Sequence, residues 1–159
     1  MIVISDSSPL ISLSIISGLD LLEKLYNEII VPEAVYEEVS LTDKPFSGSL
    51  QQYLKGKIRS VKNRVAVEML QCDLGKGEAE AIILALETKP DFLLIDDLKA
   101  RKLAGLNGIK IKGTMGVLLE GKKRGLIEEI KPLISLLISS NIRISETIIE
   151  MTLKAAGEI

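Results

Sequence analysis

Met1-Ile-Val-Ile-Ser-Asp6 and Phe92-Leu-Leu-Ile-Asp-Asp97 decide the fold. Each is a short apolar run that ends in acid. Such runs, rich in Ile, Val and Leu and without polar alternation, read as strands buried on both faces, the pattern of a parallel sheet covered by helices. Ligands of such sheets sit just beyond the carboxyl ends of the strands. Asp6, Asp96 and Asp97 therefore fall where the fold places its chemistry.

Working outward, the pattern alternates. Strands are predicted at 2–5, 29–31, 92–95 and 109–111, with a further one at 58–61. Helices are predicted at 8–17, 19–26, 32–40, 49–55, 64–71, 78–88, 98–106, 114–124, 127–139 and 145–156, and 42–48 reads as a surface loop. Ser8 and Pro9 look like an N-cap and a first helical residue, and Pro32 opens the helix that follows the second strand. Strands separated by helices imply parallel crossovers and an α/β class, a three-layer α/β/α sandwich around a central parallel sheet. A chain of 159 residues that is 47% hydrophobic fits one domain over 1–159, with its C-terminal helices at about 127–156.

Composition narrows the chemistry. There is no histidine, and Cys72 is the one cysteine. An internal disulfide and a Cys/His zinc site are both excluded, and a reducing, cytoplasmic setting is the expectation. Carboxylates, hydroxyls, lysines and arginines remain, a donor set suited to a hard metal ion. The longest uncharged stretch, 7–19, is shorter than a bilayer span and no basic segment precedes it, so neither a membrane span nor a signal peptide is expected. The net charge is −2, but between 97 and 125 eight Lys or Arg face only Asp97 and Glu120. That stretch reads either as a solvated basic face or as a surface that attracts phosphate beside the second acidic site.

Helical angles single out two glutamates. At 100° per residue from Pro32, Glu33 and Glu37 share a polar flank, whereas Glu38, at about 240°, lies between Ala34 and Val35. Glu38 is thus expected on the apolar side, unless it sits at an edge and reaches water. Counting from Glu78, Ile82, Ala85 and Leu86 fall on its own side, and Glu80 and Glu87 fall on the opposite one, which is predicted to be the solvent face. Glu78 also stands in the first helical turn, where the helix dipole favours negative charge. Asp6 is left over if Ser8 caps the helix. Of Asp96 and Asp97, one can cap and the other is free for another task. Two like charges about 4 Å apart cost roughly 4 kcal/mol at an effective dielectric near 20. Convergence of Asp6, Glu38, Glu78 and the Asp96–Asp97 pair therefore calls for a cation, and oxygen donors select Mg²⁺ or Mn²⁺.

Taken together, Ile4-Ser-Asp-Ser-Ser-Pro-Leu-Ile11, Val31-Pro-Glu-Ala-Val-Tyr-Glu-Glu-Val39, Gly75-Lys-Gly-Glu-Ala-Glu-Ala-Ile82, Leu93-Leu-Ile-Asp-Asp-Leu-Lys-Ala-Arg101 and Ile111-Lys-Gly-Thr-Met-Gly116 resemble the PIN-domain ribonucleases. Within that family the likeness is to a branch with Asp-Asp and Gly-Thr signatures, related to the VapC-like toxins. It implies a PIN-like sandwich and metal-dependent cleavage of RNA. It matches Asp6, Glu78 and Asp97 to metal-binding positions, Asp96 to a substitute for Asp97, and Glu38 to the glutamate after the second strand. Ser8 matches the hydroxyl two places after the first aspartate, and Thr114 the turn near the site. Typical toxin members carry aspartate where Glu78 stands.

The leading expectation is a Mg²⁺- or Mn²⁺-dependent endoribonuclease in which Asp6, Glu38, Glu78, Asp96 and Asp97 form the acidic set. Ser8, Lys99, Arg101 and Thr114 then contact the RNA. Its partners would be RNA, an antitoxin-like protein and a second copy in a homodimer. An inactive PIN scaffold that binds RNA or protein, and an aspartyl phospho-acceptor domain, are the alternatives. The tail carries Ile148, Ile149, Thr152, Leu153 and Ala156 at helical spacing. That stripe either closes the core or is shared between subunits.

Overall fold

Strand β1 (Ile2–Ser5) sends Val3 into a hydrophobic cluster on one side of the sheet and Ile4 into a second cluster on the other, the period of two that a strand imposes. In β2 (Glu28–Pro32), Ile29 and Val31 join the first cluster and Ile30 the second. In β4 (Phe92–Leu94), Leu94 and Leu93 divide the same way. This double burial is why the sequence runs are apolar throughout. The computed structural model describes residues 1–159. Short edge strands β3 (Ile58–Arg59) and β5 (Ile111–Lys112) complete an all-parallel sheet of order β3-β2-β1-β4-β5.

The helices form the outer layers of an α/β/α sandwich. Against the first cluster lie α1 (Ser7–Ile15), α2 (Leu19–Leu25), α8 (Thr114–Lys123), α9 (Lys131–Ser139) and α10 (Glu146–Ala155). Apolar residues of α3 (Glu33–Ser40) and α4 (Ser47–Tyr53) join them there. Against the second lie α5 (Arg64–Leu70), α6 (Lys76–Thr88) and α7 (Leu98–Leu106). The strand order reverses between β1 and β4. That gap is the topological switch point, and Asp6 and Asp96-Asp97 flank it.

Several boundaries differ from the sequence expectation. The first helix begins at Ser7, so Asp6, not Ser8, holds the N-cap position, and Pro9 lies inside the first turn. Pro32 closes β2 and precedes α3. The 42–48 loop gives way to α4 at Ser47. Helix α6 starts two residues earlier than expected and ends at Thr88, with Lys89 as its C-cap in the left-handed region at φ 50°. The 58–61 and 109–111 strands are two residues each. The 127–130 turn is not helical, and α9 starts at Lys131. In α10, Thr152 and Leu153 are buried and Ile149 and Ala156 pack on the first cluster, so most of the stripe closes this chain's own core. No helix is long and apolar enough to cross a membrane.

The largest correction concerns α6. Glu80, expected on a solvent face, is buried. The helix packs against α3 and α5 as well as the sheet, so the side opposite Glu78 meets protein rather than water. Glu80 accepts the Ala34 amide at 3.0 Å and pairs with Arg64 at 2.9 Å. Glu87, on the same side, accepts the amides of Lys62 and Asn63 ahead of α5.

Candidate active site

Asp6 sits where β1 stops, and its amide donates to the Leu94 carbonyl at 2.8 Å, tying the ends of β1 and β4 together. Its side chain makes no cap bond although it holds the cap position. The carboxylate is buried, and Oδ1 has no hydrogen-bond partner. Burial raises its pKa to about 7, partly offset by the Ser7 amide. Glu78, Glu38 and Asp96 push it further in the same direction. An unpaired buried carboxylate is unfavourable in a folded chain, and three more carboxylates act on this one.

Glu38 reaches the same region from α3. Its Oε2 accepts the Ser7 hydroxyl at 2.5 Å and its Oε1 accepts the Gly77 amide at 3.1 Å. The residue as a whole is exposed, which corrects the expectation of burial on an apolar side. What its helical angle selects is a direction, toward the first turns of α1 and α6. A Cβ on Gly77 would stand 2.5 Å from Glu38 Oε1 and 2.9 Å from Oε2. Only glycine lets this carboxylate lie on the opening of α6.

In the same first turn of α6, Glu78 accepts the Gly75 amide at 3.2 Å, half of a capping box. The half-buried carboxyl has its pKa raised by burial and by Asp97, against the Gly75 amide, with Glu38 adding to the rise. Asp97 is the cap of α7, accepting the Ala100 amide at 2.9 Å. Glu78 and Asp97 thus face each other across the α6 and α7 N-termini.

Asp96 is the aspartate that does not cap. Thr114 donates to it twice, through its amide at 2.7 Å and its hydroxyl at 2.6 Å. Thr114 is buried and spends both of its donors on Asp96, so it positions that carboxylate. Arg101 donates to the Ile95 carbonyl at 2.9 Å. A Cβ on Gly113 would stand 2.9 Å from both Arg101 Nη1 and Asp96 Oδ1, so this glycine is what admits the two side chains together.

Two expected contact residues lie elsewhere. Lys99 is exposed and pairs loosely with Asp73 at 3.5 Å. Ser8 is exposed and lines a neighbouring cavity, whereas its neighbour Ser7 carries the hydrogen bond to Glu38. Of the basic stretch, Lys112 and Arg124 pair with Glu120, and Lys122 with Glu158. Ser7, Gly77 and Gly113 escape a search for ionisable residues. The signal for them was adjacency: Ser7 follows Asp6, Gly77 precedes Glu78, and Gly113 precedes Thr114.

The donors are all oxygen, which suits a hard divalent cation. No three of the acidic side chains stand close enough to ligate one ion directly. Mg²⁺ commonly takes only one or two carboxylates and keeps several waters. The orphaned Asp6 Oδ1 supplies one such donor. Glu78 and Asp97, and behind them Asp96, supply the others. The residues therefore fit a water-rich cation site.

Over residues 2–158 the chain matches a family model described as a PIN domain. No curated protein and no solved structure matches it.

Proposed function

The chain belongs to the PIN-domain family, whose fold is of nuclease type, and from that premise we propose that it is a Mg²⁺- or Mn²⁺-dependent endoribonuclease. The observation that carries the reading is Asp6: a buried carboxylate at the switch point with an unpartnered oxygen and three further carboxylates acting on it. Of Asp6, Glu78 and Asp97, one or two would ligate the cation directly and the rest through its waters, with Asp96 beside them. When bound, the cation supplies an acidified water and neutralises charge on the phosphodiester. The protein's own task is orientation. Ser7 and the Gly77 amide fix Glu38, Thr114 fixes Asp96, and the Ala100 amide fixes Asp97. Arg101, half-buried beside Asp96, is the cation best placed to meet an RNA phosphate.

Total cellular RNA incubated with the protein and Mn²⁺ should yield discrete fragments that EDTA prevents. An unchanged RNA profile would refute the reading. A toxin role with an antitoxin-like partner, and a homodimer in the cytoplasm, extend the same proposal. Light scattering that returned a mass near 17.4 kDa at every concentration would refute the dimer. One observation favours a second reading, a PIN scaffold that binds RNA or protein without cutting: no three carboxylates share one ligand shell. Calorimetric titration with Mn²⁺ separates the two, since a scaffold needs no heat of binding that Asp6→Asn removes.

A further inference from the structure

Beside the carboxylates lies a cavity of about 750 Å³, walled by α1, the start of α7, the turn between β5 and α8, and the turn between α9 and α10. Its size falls within the roughly 300–1,000 Å³ of sites that enclose small molecules. Ser8, Asp96 and Thr114 line it, so it opens directly onto the acidic site. Ile11, Met115 and Ile148 give it aliphatic walls, and Ile148 remains 41% exposed, a surface that still awaits cover.

Its charge points to the occupant. Arg101 and Arg143 both line the cavity, and neither has an acidic partner among the ion pairs of the chain. The only acid on the wall, Asp96, has both oxygens engaged by Thr114. The turn that carries Arg143 is fixed at both ends. Asn141 takes the left-handed region at φ 67°, the Ile142 amide bonds the Leu137 carbonyl, and Ser145 caps α10. Two guanidinium groups without an acidic partner, Arg101 keeping donors beyond the one it gives the Ile95 carbonyl, over aliphatic walls match a nucleotide. Its phosphate is anionic, its base has flat apolar faces and a polar edge, and guanidinium groups both stack on bases and bond their edges.

We propose that this cavity receives one nucleotide of the RNA strand next to the bond that is cut, with the base against Ile11, Met115 and Ile148 and with Arg101 and Arg143 on its phosphate and base edge. The α9–α10 turn then sets the sequence preference of the nuclease. The proposal rests on the RNA-directed reading above.

The test uses short fluorescein-labelled RNAs of single-base composition, in EDTA, with anisotropy as readout. A parallel arm follows cleavage of a randomised RNA in Mn²⁺. Arg143→Ala and Ile148→Glu should each weaken binding of the preferred RNA about tenfold, the effect of one lost base contact. Arg143→Ala should also change the base favoured at a single position beside the cut. If it weakens all RNAs equally and leaves the preference intact, Arg143 is only a phosphate contact and the base site is refuted. Wild-type cleavage with both variants indistinguishable from it would refute the cavity and leave the nuclease reading standing. Cavity-dependent binding without cleavage would do the reverse. Absence of both binding and cleavage removes both. If Ile148→Glu dissociates a dimer while RNA affinity stays constant, the occupant is a second copy of this chain and the proposal fails.

Discussion

Asp6 and Glu80 are both withdrawn from water, at 4% and 3% exposure, yet their surroundings are opposite. Glu80 has the Ala34 amide on one oxygen and the Arg64 guanidinium on the other. Asp6 leaves Oδ1 with nothing and stands among carboxylates that repel it. Burial alone therefore does not separate a functional acid from a structural one. The partner does, because an ion held with its hydrogen bonds met is tolerated inside a protein and one without them calls for a ligand or a proton.

The largest expected effect is at Asp6. Its pKa near 7 means that the folded chain holds a proton there which the unfolded chain releases near pH 4. Folding stability from this group therefore falls as pH rises from about 4 to about 7, by at most on the order of 4 kcal/mol. Asp6→Asn should raise the metal-free Tm at pH 8 and leave it unchanged at pH 4. Mn²⁺ should raise the Tm of the wild type and not that of the variant, and RNA cleavage by the variant should be lost. A metal-free Tm at pH 8 equal to or below that of the wild type would break the contrast with Glu80.

Glu80→Ala should act in the other direction. Arg64 is half exposed and can return to water, but the Ala34 amide loses its partner in the core. A loss of about 2 kcal/mol follows, measured by urea unfolding in metal-free buffer. Arg64→Ala should also destabilise, because it leaves the buried Glu80 carboxylate without its counter-ion. If Glu80→Ala is neutral to stability, Glu80 is not the structural half of the pair.

The contrast also marks where the sequence was legible. The α/β/α class followed from the Ile2–Ser5, 29–31 and 92–95 runs, because a strand buried on both faces has no polar alternation to hide. The grouping of Asp6 with Glu38, Glu78 and Asp96 followed from strand ends and helix phase. Glu80 was misread for a physical reason. A helical angle states which side a residue is on and not what covers that side, and α3 and α5 cover the far side of α6. Ser8 is the hydroxyl that the family resemblance implies, two places after Asp6, but with the cap at Asp6 it is Ser7, the first helical residue, that faces Glu38, and Ser8 falls on the cavity wall. Gly77 depends on a contact across 39 residues, which no local pattern encodes, whereas Thr114, implied by the family resemblance, meets Asp96 across 18.

A smaller effect sharpens the site half of the comparison. In Gly77→Ala the new methyl would meet the Glu38 carboxylate, which must swing away because the colliding atoms are the end of a side chain. Alanine is favoured over glycine within a helix by about 1 kcal/mol, so the net change in stability should stay within about 1 kcal/mol. Cleavage should nevertheless fall about tenfold or more, since misplacement of an oriented group is costly to rate. In a Glu38→Ala background the same glycine substitution should have no further effect on rate. Additive losses would show that Gly77 acts on something other than Glu38.

The smallest effect concerns a carboxylate whose pKa is shifted in the opposite direction. Glu158 accepts the amides of Ile130 and Lys131 and pairs with Lys122, fastening the tail to the start of α9. The Ile130 amide, together with Lys131 and Lys122 and against burial, holds its pKa down to about 2. Its contribution is therefore complete above the ordinary glutamate range and is lost as pH falls from about 4.5 toward 2, the reverse of Asp6. Glu158→Gln should lower the Tm slightly at neutral pH, and the difference from wild type should shrink through that acid window and vanish below it. Hydrogen exchange should report the same loss at the Ile130 and Lys131 amides. If the Tm difference instead grows on acidification, charge is not what ties the tail down, and packing of Thr152 and Leu153 carries that end of the molecule alone.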